Sequence, residues 1–156
     1  DSELAVKWRF YDAGEKGLQA SIYPQVNFLT PFSHSDRRGF ADKDASFQLP
    51  FQLQHDFDLI NVDVDFGHLF GTGQLADGWF GGLCLGKEVR KGWEVVAEIH
   101  FNTSNEFHRN EAIVNAATRI DLSERYTLML LIGRDLSNHL SPVASLTSYV
   151  GIQIRL

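Results

Sequence analysis

Asp63 and Asp65 lie two residues apart, as do Glu98 and His100, on runs that alternate apolar with polar side chains. In an extended strand that spacing puts both members of a pair on one face. Paired carboxylates, or a carboxylate beside an imidazole, are the raw material of a metal site or an acid–base pair. Alternation alone produces such pairs on any polar sheet face, so the sequence assigns no metal, no cofactor and no catalytic residue. His100, Ser104 and His108 imitate a hydrolytic set. No third residue orients them, and a nucleophile without its base is not a site. Gly71-Thr72-Gly73-Gln74 lacks the helix that would follow a phosphate loop. Cys84 is the only cysteine, which excludes an internal disulfide. Placed between Leu83 and Leu85, it reads as an inert strand position. His34, His55, His68, His108 and His139 fall in loops or near strand ends and are expected to face solvent.

The same polar face carries Lys7, Arg9, Tyr23, Glu94, Asn115, Arg119, Tyr149 and Arg155, with Glu88 and Asp121. Its charges are mixed in sign. Glu94 and Arg119 are expected to pair across adjacent strands. Two readings follow: a charged lumen that steers solutes, or a plug of mutually satisfied side chains filling a narrow barrel. Val96, Ile113, Met129 and Leu131 soften one side of that face, which would suit a semi-apolar solute.

Nine strands are needed to hold these residues, at 3–11, 18–30, 45–54, 59–69, 79–88, 93–102, 111–122, 126–135 and 145–156. Period-two alternation runs through nearly all of them and no helical period competes. The last is the plainest: Val150, Ile152, Ile154 and Leu156 share one face, and Tyr149, Gly151, Gln153 and Arg155 the other. A strand that is aliphatic on one side and carries an arginine on the other separates a greasy medium from a wet one. Pro24 and Pro50 fall inside patterned runs, where a local bulge is expected. The linkers alternate strictly between tight (12–17, 55–58, 89–92, 123–125) and longer (31–44, 70–78, 103–110, 136–144). Short periplasmic turns and longer outer loops are the habit of outer-membrane barrels.

Aromatic residues repeat that orientation. Phe28, Phe47, Phe66, Trp79 and Phe101 fall at the long-loop ends, and Trp8, Phe10, Trp93 and Tyr126 at the tight-turn ends. Two such bands suit the two interfaces of a bilayer. The hydrophobic content of 44% is too low for a helical membrane protein, and no run reaches the ~18 apolar residues of a spanning helix. A barrel escapes that test because only alternate residues face lipid. The formal charge of -6, with no basic stripe, argues against nucleic acid. The 156 residues fit a single domain. No basic, apolar leader opens the sequence, so export would imply one already removed upstream of Asp1.

One stretch, Gly92-Trp-Glu-Val-Val-Ala-Glu-Ile-His-Phe-Asn-Thr-Ser-Asn105, continues through His108-Arg-Asn-Glu111, Arg119-Ile-Asp-Leu-Ser-Glu-Arg-Tyr126 and Gly133-Arg-Asp-Leu136. It resembles the C-terminal half of the bacterial outer-membrane barrels assigned to transport in the meta-cleavage pathway of phenol degradation. Leu4-Ala-Val-Lys-Trp-Arg-Phe10 and Ser21-Ile-Tyr-Pro-Gln25 resemble that group's middle strands. The resemblance implies an outer-membrane location, passage of small aromatic or hydrophobic molecules, and no catalytic residues. Members are longer, so it also implies a barrel of about twelve strands with about nine visible here.

The expected fold is therefore all-β: an antiparallel, up-and-down transmembrane barrel. Its partners would be outer-membrane lipid and the barrel-assembly machinery, which reads a C-terminal pattern like Val150, Ile152, Ile154 and Leu156. Nine strands begin and end in the same direction, whereas bacterial single-chain barrels have even counts and close antiparallel. Missing N-terminal strands, self-association through 3–11 and 145–156, or another chain would have to complete it. The rivals are a soluble lipocalin-like barrel holding a hydrophobic ligand and a structural envelope protein with no solute.

Overall fold

The computed structural model describes residues 2–14, 16–29, 44–72, 77–107, 110–138 and 146–155. Eleven strands form one antiparallel sheet: β1 (Ser2–Ala5), β2 (Trp8–Asp12), β3 (Gln19–Ile22), β4 (Gln25–Phe28), β5 (Ser46–Asp56), β6 (Asn61–Gly71), β7 (Gly78–Arg90), β8 (Trp93–Ser104), β9 (Asn110–Asp121), β10 (Tyr126–Asn138) and β11 (Leu146–Ile154). From β5 onward each strand pairs with the next in sequence. The architecture is all-β and up-and-down. The two N-terminal stretches each break in two, which turns nine expected ribbons into eleven strands.

The prolines cause those breaks, though not as bulges. Val6 N donates to Pro24 O at 3.1 Å, and Tyr23 N to Pro50 O at 3.0 Å. In an antiparallel ladder a hydrogen-bonded pair exchanges two such bonds. Proline has no N–H, so each pair keeps only one. Pro24 thus faces the break between β1 and β2, and Pro50 faces the break between β3 and β4, in which Pro24 itself also lies. Register is unchanged across both gaps: Gln25 faces Gln48 and Ile22 faces Phe51, as an unbroken ladder requires. The register shifts fall elsewhere, at Arg9/Tyr11, Glu88/Arg90 and Asp135/Ser137.

The division of connections by length is looser than expected, since 13–18 spans six residues, as 72–77 does, and 105–109 spans five. The tight connections at 13–18, 57–60, 91–92 and 122–125 share one end of the sheet, and the strand ends at Phe28 and Ser46, Gly71 and Gly78, Ser104 and Asn110, and Asn138 and Leu146 the other. The tight ones are closed by short-range polar contacts. Asp12 Oδ1 accepts from Gly14 N at 2.9 Å, and Asp56 Oδ1 from Asp58 N at 3.0 Å. Ser123 Oγ accepts from Arg125 N and Tyr126 N, each at 3.2 Å. Asp58 has a positive φ of 61, a conformation that aspartate tolerates better than most residues. Lys16 of the first turn donates to Asp58 of the second. The Lys16 ammonium holds the exposed Asp58 carboxyl below the ordinary aspartate range.

The sheet has two faces and almost no apolar core. Ala20, at 6% exposure, is the only buried hydrophobic residue among those described. Aliphatic side chains lie outward and open: Val150 is 73% exposed, Ile152 62% and Ile154 59%. One outward ladder row runs Trp8–Ile22–Phe51–Phe66–Gly81–Phe101. The sheet remains open among the described residues, since β1, β2 and β11 each pair on one side only.

Two outcomes test this description. Pro50→Val should supply the missing donor, so that the amide at position 50 becomes protected from hydrogen exchange and stability rises by about 0.5–1.5 kcal/mol. An unprotected amide there would mean that Tyr23 and position 50 do not face each other. Asp58→Asn keeps the backbone conformation but removes the charge. Asp58 is depressed when folded, so its stabilising share exists above the unfolded carboxylate range and disappears as pH falls through the lower folded value. The acid limb of a stability–pH curve should therefore flatten slightly in the variant, and high salt should erase the difference.

Candidate functional site: the polar inner face

Ladder pairing carries the polar residues across neighbouring strands on one face. One row runs Arg9–Ser21–Gln52–Asp65–Gly82–His100–Ile113–Asp135. A second runs Asp63–Cys84–Glu98–Asn115–Gly133. Tyr149 stands opposite Leu131 and continues the same face. Cys84 thus points between two carboxylates rather than into an apolar layer, because its face follows its ladder partners Asp63 and Glu98.

Much of this face satisfies itself. Lys7 Nζ donates to Gln52 Oε1, and Gln52 Nε2 passes the connection to Asp63 Oδ2 at 2.9 Å. Asn115 Nδ2 donates to Glu98 Oε2 at 3.1 Å. Arg119 lies 3.6 Å from Glu94, the expected pair, with side chains 48% and 40% exposed. Arg155 reaches Asp121 Oδ1 at 3.4 Å and Thr127 Oγ1 at 3.3 Å, while Arg9 turns to Asp12 at 2.9 Å. Arg119, Glu94, Arg155, Asp121 and Glu88 surround a charged recess of ≈ 270 Å³ at the tight-turn end.

Toward the other end the face opens into a cleft of ≈ 570 Å³. Tyr23, Asp65 and His100, all marked by the sequence, line it together. Gln48, Gln52, Phe80, Asn102 and Glu111 join them without having been singled out. Those five share the alternation of every other inner residue, so position along the strand was their only signal. Gly67 makes room for the Phe80 ring, which would sit 2.5 Å from a Cβ at that position. The cleft is lined by residues of β5 to β9 together with Tyr23, between β3 and β4.

On the outer face, the aromatics at the two ends of the early strands are linked rather than separate. Trp8 meets Phe10 at 6.0 Å, Phe10 meets Phe51 at 5.9 Å, and Phe51 meets Phe66 at 5.2 Å. Register sets this, since Trp8, Phe51 and Phe66 occupy one ladder row. Trp93 caps its position through Nε1 to Thr118 Oγ1 at 2.8 Å, and Phe47 packs on Phe70 at 5.8 Å. Phe28 stands opposite Ser2, Trp79 opposite Thr103, Phe101 opposite Gly81 and Tyr126 opposite Ile154. Neither described loop-end histidine stands free in solvent. His68 packs on Trp79 at 4.6 Å and bonds Asn105 Oδ1 at 2.8 Å, and His55 packs on Phe57 at 4.1 Å. His34, His108 and His139 lie outside the described residues, as does Leu156.

The chain matches no family model, no curated protein and no solved structure.

Removing Glu94 and Arg119 together should cost less than the sum of the single alanine changes. With both groups about half exposed, the coupling should be at most about 1 kcal/mol and weaken in salt. Strict additivity in the double-mutant cycle would remove the pair.

Proposed function

We propose that this chain forms the wall of a bacterial outer-membrane β-barrel, through which small, partly apolar solutes pass or are held. The carrying observation is the exposure of Val150, Ile152 and Ile154 on a sheet whose only buried hydrophobic, among the described residues, is Ala20. In water such a surface would be costly at roughly 25 cal/mol per Å² of apolar area. In lipid the cost disappears. A soluble lipocalin-like barrel calls for the reverse arrangement, with its apolar face lining the concave side. The resemblance to outer-membrane transport barrels supports the same reading, and the mixed lining of the cleft suits a solute with apolar and polar parts.

The reading makes lipid the main partner and the barrel-assembly machinery the insertion route. It also constrains closure. Each unpaired backbone group in hydrocarbon costs several kcal/mol, so both edges need strands. The first and last ribbons run the same way, so an odd number of further strands is required for antiparallel pairing at both edges. Copies of this chain in one membrane orientation present edges that all run the same way. Self-association would therefore give only parallel seams.

The test is insertion and passage. The protein should require detergent, migrate differently on gels before and after heating, and raise solute permeability when reconstituted in lipid vesicles. Leu130→Arg, on the outward face, should cost roughly 2–4 kcal/mol of stability in lipid if it lies near the midplane. Met129→Arg, on the inner face opposite Arg119 and Gly151, should cost less. A monodisperse protein that stays soluble without detergent, or equal penalties at 129 and 130, would overturn the proposal.

A further inference from the structure

Register separates the charges of the strands by sign. From Glu3 at one edge to Asp135 near the other, every carboxylate in a described strand falls on the inner face. The charged side chains that the ladder turns outward are all cations: Lys87 opposite Val95, Arg90 opposite Trp93, and Arg134 between Val114 and Leu146. All three are exposed. Their partners differ as sharply as their sign. On the inner face Lys7, Arg9, Arg119 and Arg155 engage Gln52, Asp12, Glu94 and Asp121. Among the described residues no carboxylate pairs with Lys87, Arg90 or Arg134.

The depth of these cations is equally regular. On β7, Lys87 follows the exposed Trp79 by eight residues, and on β10 Arg134 follows the exposed Tyr126 by eight. Eight residues of strand measure about 27 Å, or about 20 Å of height at the tilt usual in a membrane barrel. The apolar band of such barrels is about 25 Å tall. Each strand thus marks one boundary of the band with an aromatic ring and stands a cation near the other. Arg90 lies still closer to the turn than Lys87 does. The long stems of lysine and arginine let their heads reach the polar layer from these positions.

We propose that Lys87 and Arg90 at the tight-turn rim, and Arg134 at the long-loop rim, bind the phosphate groups of anionic lipids. The site rests on the membrane reading and names the headgroup chemistry that the outer face selects. A guanidinium meets phosphate through two parallel hydrogen bonds and an ammonium meets it as a point charge. Val95, Trp93 and Val114 beside them suit the acyl chains of the same molecule. The formal charge of -6 would by itself repel an anionic surface. Segregation by face places attraction where lipid touches the chain and keeps the strand carboxylates behind the sheet.

The experiment uses the full chain in a non-ionic detergent. Dimyristoyl phosphatidic acid, dimyristoyl phosphatidylcholine and dimyristoylglycerol serve as probes of equal chain length, with retention read by native mass spectrometry. Phosphatidic acid should be retained in preference to the other two, and rising salt should weaken that preference. Arg134→Gln should remove one class of bound lipid, and Lys87→Gln with Arg90→Gln should remove another. Each cation lost should weaken binding at its own rim about fivefold. Lys16→Gln removes the same charge from a turn where Asp58 already engages it, and should leave retention unchanged. Inorganic phosphate at the concentration of the lipid should not compete. Equal retention of all three probes, a preference indifferent to salt, competition by inorganic phosphate, or an equal loss in Lys16→Gln would overturn the proposal. A chain that is soluble without detergent and retains no probe loses the membrane reading as well, whereas insertion into lipid without headgroup preference loses this one alone.

Discussion

Ladder hydrogen bonds carry this fold, because the described residues have so little interior to bury. Every strand from β5 to β10 is bonded on both sides, and the side chains stand on two open faces. Positions that would be minor irregularities in a packed protein therefore become architectural. Two absent N–H groups, at Pro24 and Pro50, divide two ribbons into four strands while the register passes through unchanged. The same dependence leaves β1, β2 and β11 as the open edges of the sheet among the described residues.

The two faces solve different problems. Outward, period two collects aliphatic and aromatic groups that gain from leaving water. Inward, it collects groups that must find partners wherever water is scarce. Most do so across strands, through Lys7–Gln52–Asp63, Asn115–Glu98 and Arg155–Asp121. These contacts fill part of the polar face with mutually satisfied side chains. Beside the cleft, glycines at 67 and 82 withdraw side-chain volume, and the Phe80 ring and the Asp65 carboxylate occupy the space.

The facing of nearly every strand was legible in the residues, because alternation is a local property of extended backbone and needs no knowledge of neighbours. So was the antiparallel meander, with turns that rest on Asp, Gly and Ser at 12–14, 56–58 and 123–125; the strict alternation of tight and long connections was not, since 13–18 is as long as 72–77 and longer than 105–109. The pairing of Glu94 with Arg119 was legible as well, since both take polar positions at the same end of consecutive antiparallel strands, β8 and β9. The response to the two prolines was not. Pro24 lies in a break of its own ribbon, but Pro50 lies in an unbroken strand and the interruption appears opposite it, at Tyr23, and only pairing identifies that partner.

The sequence by itself determined which side chains share a face, because that follows from the two-residue repeat of a single strand. Only the tertiary structure decided which residues of different strands stand opposite one another. Phe51 opposite Phe66, Cys84 between Asp63 and Glu98, and Gly82 between Asp65 and His100 all depend on register between strands. Register is a collective property of the ladder. A shift of one residue would turn each of these faces around, and no local pattern encodes the opposing partner.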